Sequence, residues 1–223
     1  MKEFIFEVGS LSEGIPDINL FMMCTELNPS AVRSLPTGFR IRKCREAELG
    51  IWMDFPFDNA GEAEKYRGFM SSFFQDVYSD KKEVFFDRCL FVCDTQDRPI
   101  ATCFAWKAYE KITTIHWFKV LKQYEGFGIG RALLSYVMQS LSMSEFPVFL
   151  HTQPSSYRAI KLYADFGFEL LSDPVIGTRR NDLERCLPIL QGIMPTDAFQ
   201  ALKITKAPRF FLEAVNSSSI EQF

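Results

Sequence analysis

From residue 38 onward, short apolar runs alternate with longer amphipathic stretches. Residues 39–43 read as a short strand, and the polar entry Arg45-Glu46-Ala47-Glu48 leads into a helix at residues 49–53. Residues 60–79 place Phe69, Phe73, Phe74 and Val77 at helical spacing. Three strand-like runs follow at 89–93, 99–109 and 113–120, with polar turns between them, and predict a meander of antiparallel neighbours. A loop with three glycines comes next. The segment after it puts Ile129, Leu133, Leu134, Val137, Met138 and Leu141 on one helical face. Residues 147–152 form a further strand. Pro154-Ser155-Ser156 opens another helix that either serine can cap and that carries Ile160, Leu162, Tyr163 and Phe166. Gly167 suits the position just past its end, Phe168 can pack back on it, and residues 168–171 read as a strand.

Strand, helix, strand, helix and strand after a meander predict a mixed α/β domain. The expected division is a core over residues 37–174, an N-terminal extension (1–36) packed on it, and a C-terminal extension (175–223) belonging to the same domain. Within the extensions, residues 1–8 read as a strand, 181–190 as a helix, 210–215 as a last strand and 217–223 as a frayed tail. Phe199, Leu202, Ile204, Phe210, Phe211 and Leu212 are too apolar for a free segment. They predict packing on the core or on another subunit, which leaves room for a homodimer.

Composition narrows the function. The 223 residues are 47% hydrophobic, with 23 phenylalanines, so a substantial core is expected. A net charge of −3 gives no basic footprint for nucleic acid. Six cysteines without a C-x-x-C pair, and only two histidines, argue against zinc, and no metal is expected. No apolar run approaches a membrane span and the first residues lack a secretory core, so the expected setting is the cytoplasm, with no membrane partner.

The candidate chemistry sits in Val120-Leu121-Lys122-Gln123-Tyr124-Glu125-Gly126-Phe127-Gly128-Ile129-Gly130-Arg131. A glycine loop between a strand and a helix can offer a row of backbone N–H groups, and the helix adds its positive end, so a phosphate-bearing ligand is expected. A Walker A loop is excluded because no Gly-Lys-Ser/Thr is present. The dinucleotide fingerprint fails because its third glycine would fall on Arg131 or Leu133.

With those two set aside, Gln123-Tyr124-Glu125-Gly126-Phe127-Gly128 resembles the acyl-CoA loop of the GNAT superfamily of N-acetyltransferases. Ser156-Tyr157-Arg158-Ala159-Ile160-Lys161-Leu162-Tyr163-Ala164-Asp165-Phe166-Gly167-Phe168 is similar to that family's Asn-x-x-Ala-x-x-Leu-Tyr-x-x-x-Gly-Phe. The two motifs stand in order, a strand and a helix apart, and the resemblance covers roughly residues 38–172. It implies a GNAT-like fold, a mostly antiparallel sheet splayed in a V and flanked by helices. It also implies acetyl-CoA as co-substrate, bound by the main chain of Phe118, Lys119 and Val120 and by the loop residues Glu125, Gly126, Phe127, Gly128, Ile129, Gly130 and Arg131. Ser156 stands where the family keeps an asparagine that can contact the pantetheine arm.

In the family scheme an amine attacks the thioester directly. Tyr163 matches the tyrosine that faces the sulfur and is the expected general acid; a core tyrosine is the plainer reading of the same position. His116 lies on the strand four residues before Val120. Strict alternation puts it on one face with Phe118, and it is the expected base; a structural strand histidine is the plainer reading of the same position, Glu110 is a weaker candidate, and a water-relayed base would leave no mark. Glu125 departs from the family's usual arginine and is repulsive toward a pyrophosphate unless it pairs with a cation, Lys122 and Arg131 being the nearest. The aromatic early helices, with Trp52, Phe55 and Phe57, would suit an amine that Asp54 and Asp58 could meet, but the aromatic residues read more readily as core and the two carboxylates as solvated. The resemblance implies a small-molecule or peptide amine as acceptor. A CoA-binding regulatory or interaction module without transfer chemistry is the alternative.

Overall fold

In the computed structural model, residues 14–223 are described; the strand expected at 1–8 lies outside them. The strands are β1 (Leu20–Cys24), β2 (Arg40–Lys43), β3 (Leu90–Cys93), β4 (Pro99–Ala108), β5 (Ile112–Val120), β6 (Val148–Thr152), β7 (Phe168–Leu171), β8 (Val175–Ile176), β9 (Arg179–Arg180) and β10 (Ile204–Thr205). The helices are α1 (Leu49–Asp54), α2 (Ala60–Val77), α3 (Lys82–Arg88), α4 (Ile129–Gln139), α5 (Tyr157–Asp165), α6 (Leu183–Ile193), α7 (Thr196–Gln200) and α8 (Arg209–Val215). Eight strands make one sheet in the order β10-β7-β1-β6-β5-β4-β3-β2, and β8 pairs with β9 apart from it. The pairings are antiparallel except β10 with β7 and β5 with β6. This is the mixed α/β, mostly antiparallel sheet that the sequence predicts.

Helices cover both faces. One core layer joins α4, α5 and α6 to Leu20, Met22, Val148 and Leu150; the other joins α1, α2, α3 and α8 to Phe21, Met23, Phe104 and Phe149. Alternation along β1 sends Leu20, Met22 and Cys24 to the first layer and Phe21 and Met23 to the second. Among the described residues, no helix is long and apolar enough to cross a membrane.

The ends differ from the sequence-based expectation. β1 is fully buried between β6 and β7, so residues 20–24 belong to the sheet interior, inside the segment expected to pack on the core from outside. Residues 210–215 are helical, not a strand: Phe211, Ala214 and Val215 are buried at helical spacing, and Arg209 pairs with Glu213 one turn on at 2.8 Å. Residues 217–223 are not frayed throughout. Phe223 rests against Phe21, Tyr109 and Phe211, and Gln222 accepts a hydrogen bond from the Tyr109 N–H at 2.6 Å. Phe199, Leu202, Phe211 and Leu212 pack on the core, whereas Ile204 and Phe210 stay about half exposed.

Candidate active site

The site is built on the far half of β5. Its ladder with β6 pairs only Thr113 with Val148 and Thr114 with Phe149. Both strands continue, β5 to Val120 and β6 to Thr152, with no further pairing. Burial follows the separation: β5 is buried through His116 and half-buried from Trp117 to Val120. The two strands therefore open into a cleft beside Phe118, Lys119 and Val120.

A bulge turns the strand at the same point. The β4–β5 register shifts between Thr102 and Phe104, and Trp117 has φ 51°, a value a bulky side chain rarely adopts. His116 and Phe118 consequently occupy opposite faces, contrary to strict alternation. His116 packs with Tyr78 and Phe104, while Phe118 lies against Tyr163 and Gly130.

Hydrogen bonds hold the bulge. Trp117 Nε1 donates to Tyr78 Oη at 3.0 Å, Tyr78 Oη and His116 Nδ1 are 2.5 Å apart, His116 Nε2 and Thr114 Oγ1 are 2.7 Å apart, and Thr114 Oγ1 donates to the Trp106 carbonyl at 3.2 Å. An indole N–H can only donate and a carbonyl can only accept, so the direction of the whole chain is fixed. Tyr78 donates to Nδ1, and His116 is neutral with its proton on Nε2. Burial depresses the His116 pKa to about 3 and pushes that of the fully buried Tyr78 upward. An imidazole with both nitrogens engaged, and so reluctant to take a proton, does not fit the expected base. Glu110 does not fit either. It stands on the exposed turn before β5, paired with Lys81 at 2.7 Å, and the strand carries it about 30 Å from Val120.

The glycine loop follows the open end of β5. Gly126 and Gly128 have φ 83° and 79°, and Gly128 is the N-cap of α4. Gly130 serves packing: a Cβ there would lie 3.1 Å from the Phe118 ring and 3.2 Å from Val120, so its absence seats α4 on β5. Among the described residues, none of the N–H groups of residues 126–131 donates to another backbone group. A Cβ built on Gly126 meets nothing within 4 Å, so the space beside that residue is open. Unpaired N–H groups at a helix N-terminus suit a pyrophosphate, and the bared edge of β5 suits an extended, hydrogen-bonding arm. The residues present thus fit acyl-CoA.

Two ion pairs tie this region to α5. Glu125 accepts from Arg158 at 2.8 Å; of the two cations expected, Lys122 and Arg131, the latter binds Asp165 at 2.5 Å. Ser156 precedes α5 as its N-cap residue, but no side-chain cap bond forms at that helix start. Gly167, with φ 100°, ends α5 as predicted, and Phe168 packs on Tyr163. The Tyr163 ring lies between Phe118 of β5 and Phe168 of β7 and is 6% exposed; burial raises its pKa well above the ordinary phenol value. Over the other face, Asp58 pairs with Lys119 at 2.6 Å and Asp54 with Arg67 at 3.2 Å, so both carboxylates already have cations. Trp52, Phe55, Phe57 and Phe74 are core, and Phe69 and Phe73 are half-buried. Among the described residues, no cluster of His, Cys, Asp and Glu is placed to hold a metal.

Sequence reasoning missed Arg158, Tyr78 and Thr114. Arg158 was within reach, lying inside the recognised motif two residues after Ser156. Tyr78 carries no local signal, since it meets β5 only through tertiary packing.

No curated protein matches the chain. Among solved structures it is similar to a GCN5-related N-acetyltransferase from Sphaerobacter thermophilus, with 17% identity over 68% of this chain and 48% of that one, and a TM-score of 0.46. A GNAT-family acetyltransferase from Staphylococcus aureus Mu50 gives 11% identity, 57% and 81% coverage, and a TM-score of 0.42. A tandem GNAT protein from the clavulanic acid biosynthesis pathway gives 12%, 70% and 51%, and 0.49. The chain thus spans about half the length of the first and third of these. The model of the acetyltransferase (GNAT) family matches residues 55–168, more than half of the chain and the stretch that carries both motifs and the cleft. The chain belongs to the GNAT family of acetyltransferases.

Proposed function

We propose that this protein transfers an acetyl group from acetyl-CoA to a primary amine by direct attack within a ternary complex. Family membership implies acyl transfer from acetyl-CoA. The observation that carries the fuller reading is the row of unpaired N–H groups at residues 126–131, set beside the strand edge that β6 leaves bare. Those N–H groups would hold the pyrophosphate, with Glu125 and Ser156 at the margins of the site. The main chain of Phe118, Lys119 and Val120 would pair with the pantetheine arm, as a further strand would. When bound, acetyl-CoA supplies the activated acyl group.

Tyr163 is the proposed general acid. A buried phenol with a raised pKa stays protonated at neutral pH and can give a proton to a departing thiolate. His116 is better suited to positioning, because its chain of hydrogen bonds fixes the bulge that turns Phe118 toward Tyr163. The amine's proton then leaves through solvent, since neither His116 nor Glu110 is placed to take it. Buried cysteines, none in a disulfide among the described residues, accord with a reducing cytoplasm.

The test incubates the protein with acetyl-CoA and a panel of arylalkylamines, polyamines and peptides, and follows release of free thiol. Turnover with at least one amine is expected. Measured CoA binding without turnover on any amine would leave the binding-module alternative in its place.

A further inference from the structure

The cradle has Glu125 where the acyl-CoA loop that it resembles usually carries an arginine. Two arginines stand beside it. Arg131 is committed: Nη2 donates to Asp165 at 2.5 Å, Nη1 donates to the Ala31 carbonyl at 3.3 Å, and Asp165 also takes Lys161 at 3.1 Å. Arg158, on the first turn of α5, has one carboxylate partner among the described residues, Glu125, at 2.8 Å. Its side chain is 67% exposed and that of Glu125 is 40% exposed. A surface ion pair of that kind contributes at most about fivefold to an equilibrium. An arginine hydrogen-bonded to a phosphate, with both partners charged, is worth roughly tenfold or more.

We propose that Arg158 is a phosphate-binding residue held in reserve by Glu125: the cofactor binds by exchanging the Glu125/Arg158 pair for an Arg158/phosphate pair. This rests on the acyl-CoA reading of the cradle. Glu125 directly precedes Gly126, so its carboxylate keeps the guanidinium at the rim of the N–H row. A phosphate arriving there competes for the same donors, and Glu125 turns to water as Arg158 leaves it. The exchange makes affinity lower than an arginine alone would give, and it sets the sign of the coupling between the two side chains.

Calorimetry with CoA and with dephospho-CoA, on the wild type, Glu125→Gln, Arg158→Gln and the double variant, tests this. Circular dichroism checks that each is folded. Glu125→Gln should tighten CoA about threefold to tenfold. Arg158→Gln should weaken it about threefold alone and about tenfold in the Glu125→Gln background, because there the arginine no longer gives up a partner. A penalty for CoA only puts the contact on the 3′-phosphate, and an equal penalty for both ligands puts it on the pyrophosphate. A penalty that shrinks or vanishes in the Glu125→Gln background would mean that Arg158 only masks Glu125, which overturns the proposal while leaving the cradle intact. Absence of CoA binding in all four folded proteins overturns the cradle reading itself, and the proposal with it.

Discussion

Tyr78→Phe removes one oxygen from a chain of hydrogen bonds whose direction is fixed at both ends. The ring stays, with its contacts to Trp52 at 5.8 Å, Phe85 at 4.9 Å and Trp106 at 4.9 Å, so the packing term is nearly unchanged. What is lost is the donor to His116 Nδ1 and the acceptor for Trp117 Nε1. His116 is 3% exposed, so Nδ1 has no access to replacement water, and an unsatisfied buried group of this type costs about 1–3 kcal/mol. Trp117 is only partly buried and recovers part of its loss. Urea unfolding at pH 7 measures this. The chain's three tryptophans all adjoin Tyr78, so intrinsic fluorescence reports on the right place. With an m value near 2 kcal/mol/M, the midpoint should fall by about 0.5–1.5 M at unchanged slope. Combining Tyr78→Phe with His116→Leu should cost less than the sum of the two, since neither nitrogen is then orphaned. A midpoint shift under about 0.2 M, or strict additivity, would refute the fixed chain.

The same substitution at the other buried tyrosine should separate stability from chemistry: Tyr163→Phe has no protein hydrogen bond to lose among the described residues, so it should cost less than about 0.5 kcal/mol while lowering turnover tenfold or more at unchanged CoA affinity. Stability should also fall with acid. Burial holds His116 at about 3 and His151 well below the ordinary imidazole value, so the unfolded chain binds more protons below pH 6.5. Their contribution is complete above pH 6.5 and is lost as pH falls toward 3. Between pH 7 and 5, His116 alone should remove about 2 kcal/mol, with His151 acting in the same direction, and a flat urea midpoint over that range would contradict the burial of the His116 ring. Gly167→Ala, at φ 100° and with its Cβ 2.7 Å from the Glu26 carbonyl, should destabilise by about 2–3 kcal/mol; a loss below about 1 kcal/mol would show that the turn after α5 yields.

What the sequence revealed, and what it hid, follows from where each signal lives. The amphipathic face of α4, the end of α5 at Gly167 and the meander from β3 to β5 are local patterns, and all were readable. β1 was not, because Leu-Phe-Met-Met-Cys is buried on both faces and so lacks the alternation that marks a half-exposed strand. The segment that forms α8 reads as a strand in the sequence, although Phe211, Ala214 and Val215 stand at helical spacing after Pro208.

The site divides along the same line. The glycine loop is a backbone device, and glycines in sequence report it directly. The face on which His116 lies depends on the bulge at Trp117, and the bulge depends on Tyr78, which is 39 residues away. No period in the sequence encodes that register shift, so alternation carried His116 onto the wrong face. The inversion has a chemical consequence. A histidine on the Phe118 face would stand with Tyr163, where an imidazole and a phenol could act as a base and acid pair. On the opposite face it is sealed among aromatic rings, and the phenol it meets is Tyr78, which locks its tautomer. One bulged residue therefore decides whether this strand offers a proton acceptor to the cleft or a brace behind it, and here it builds the brace.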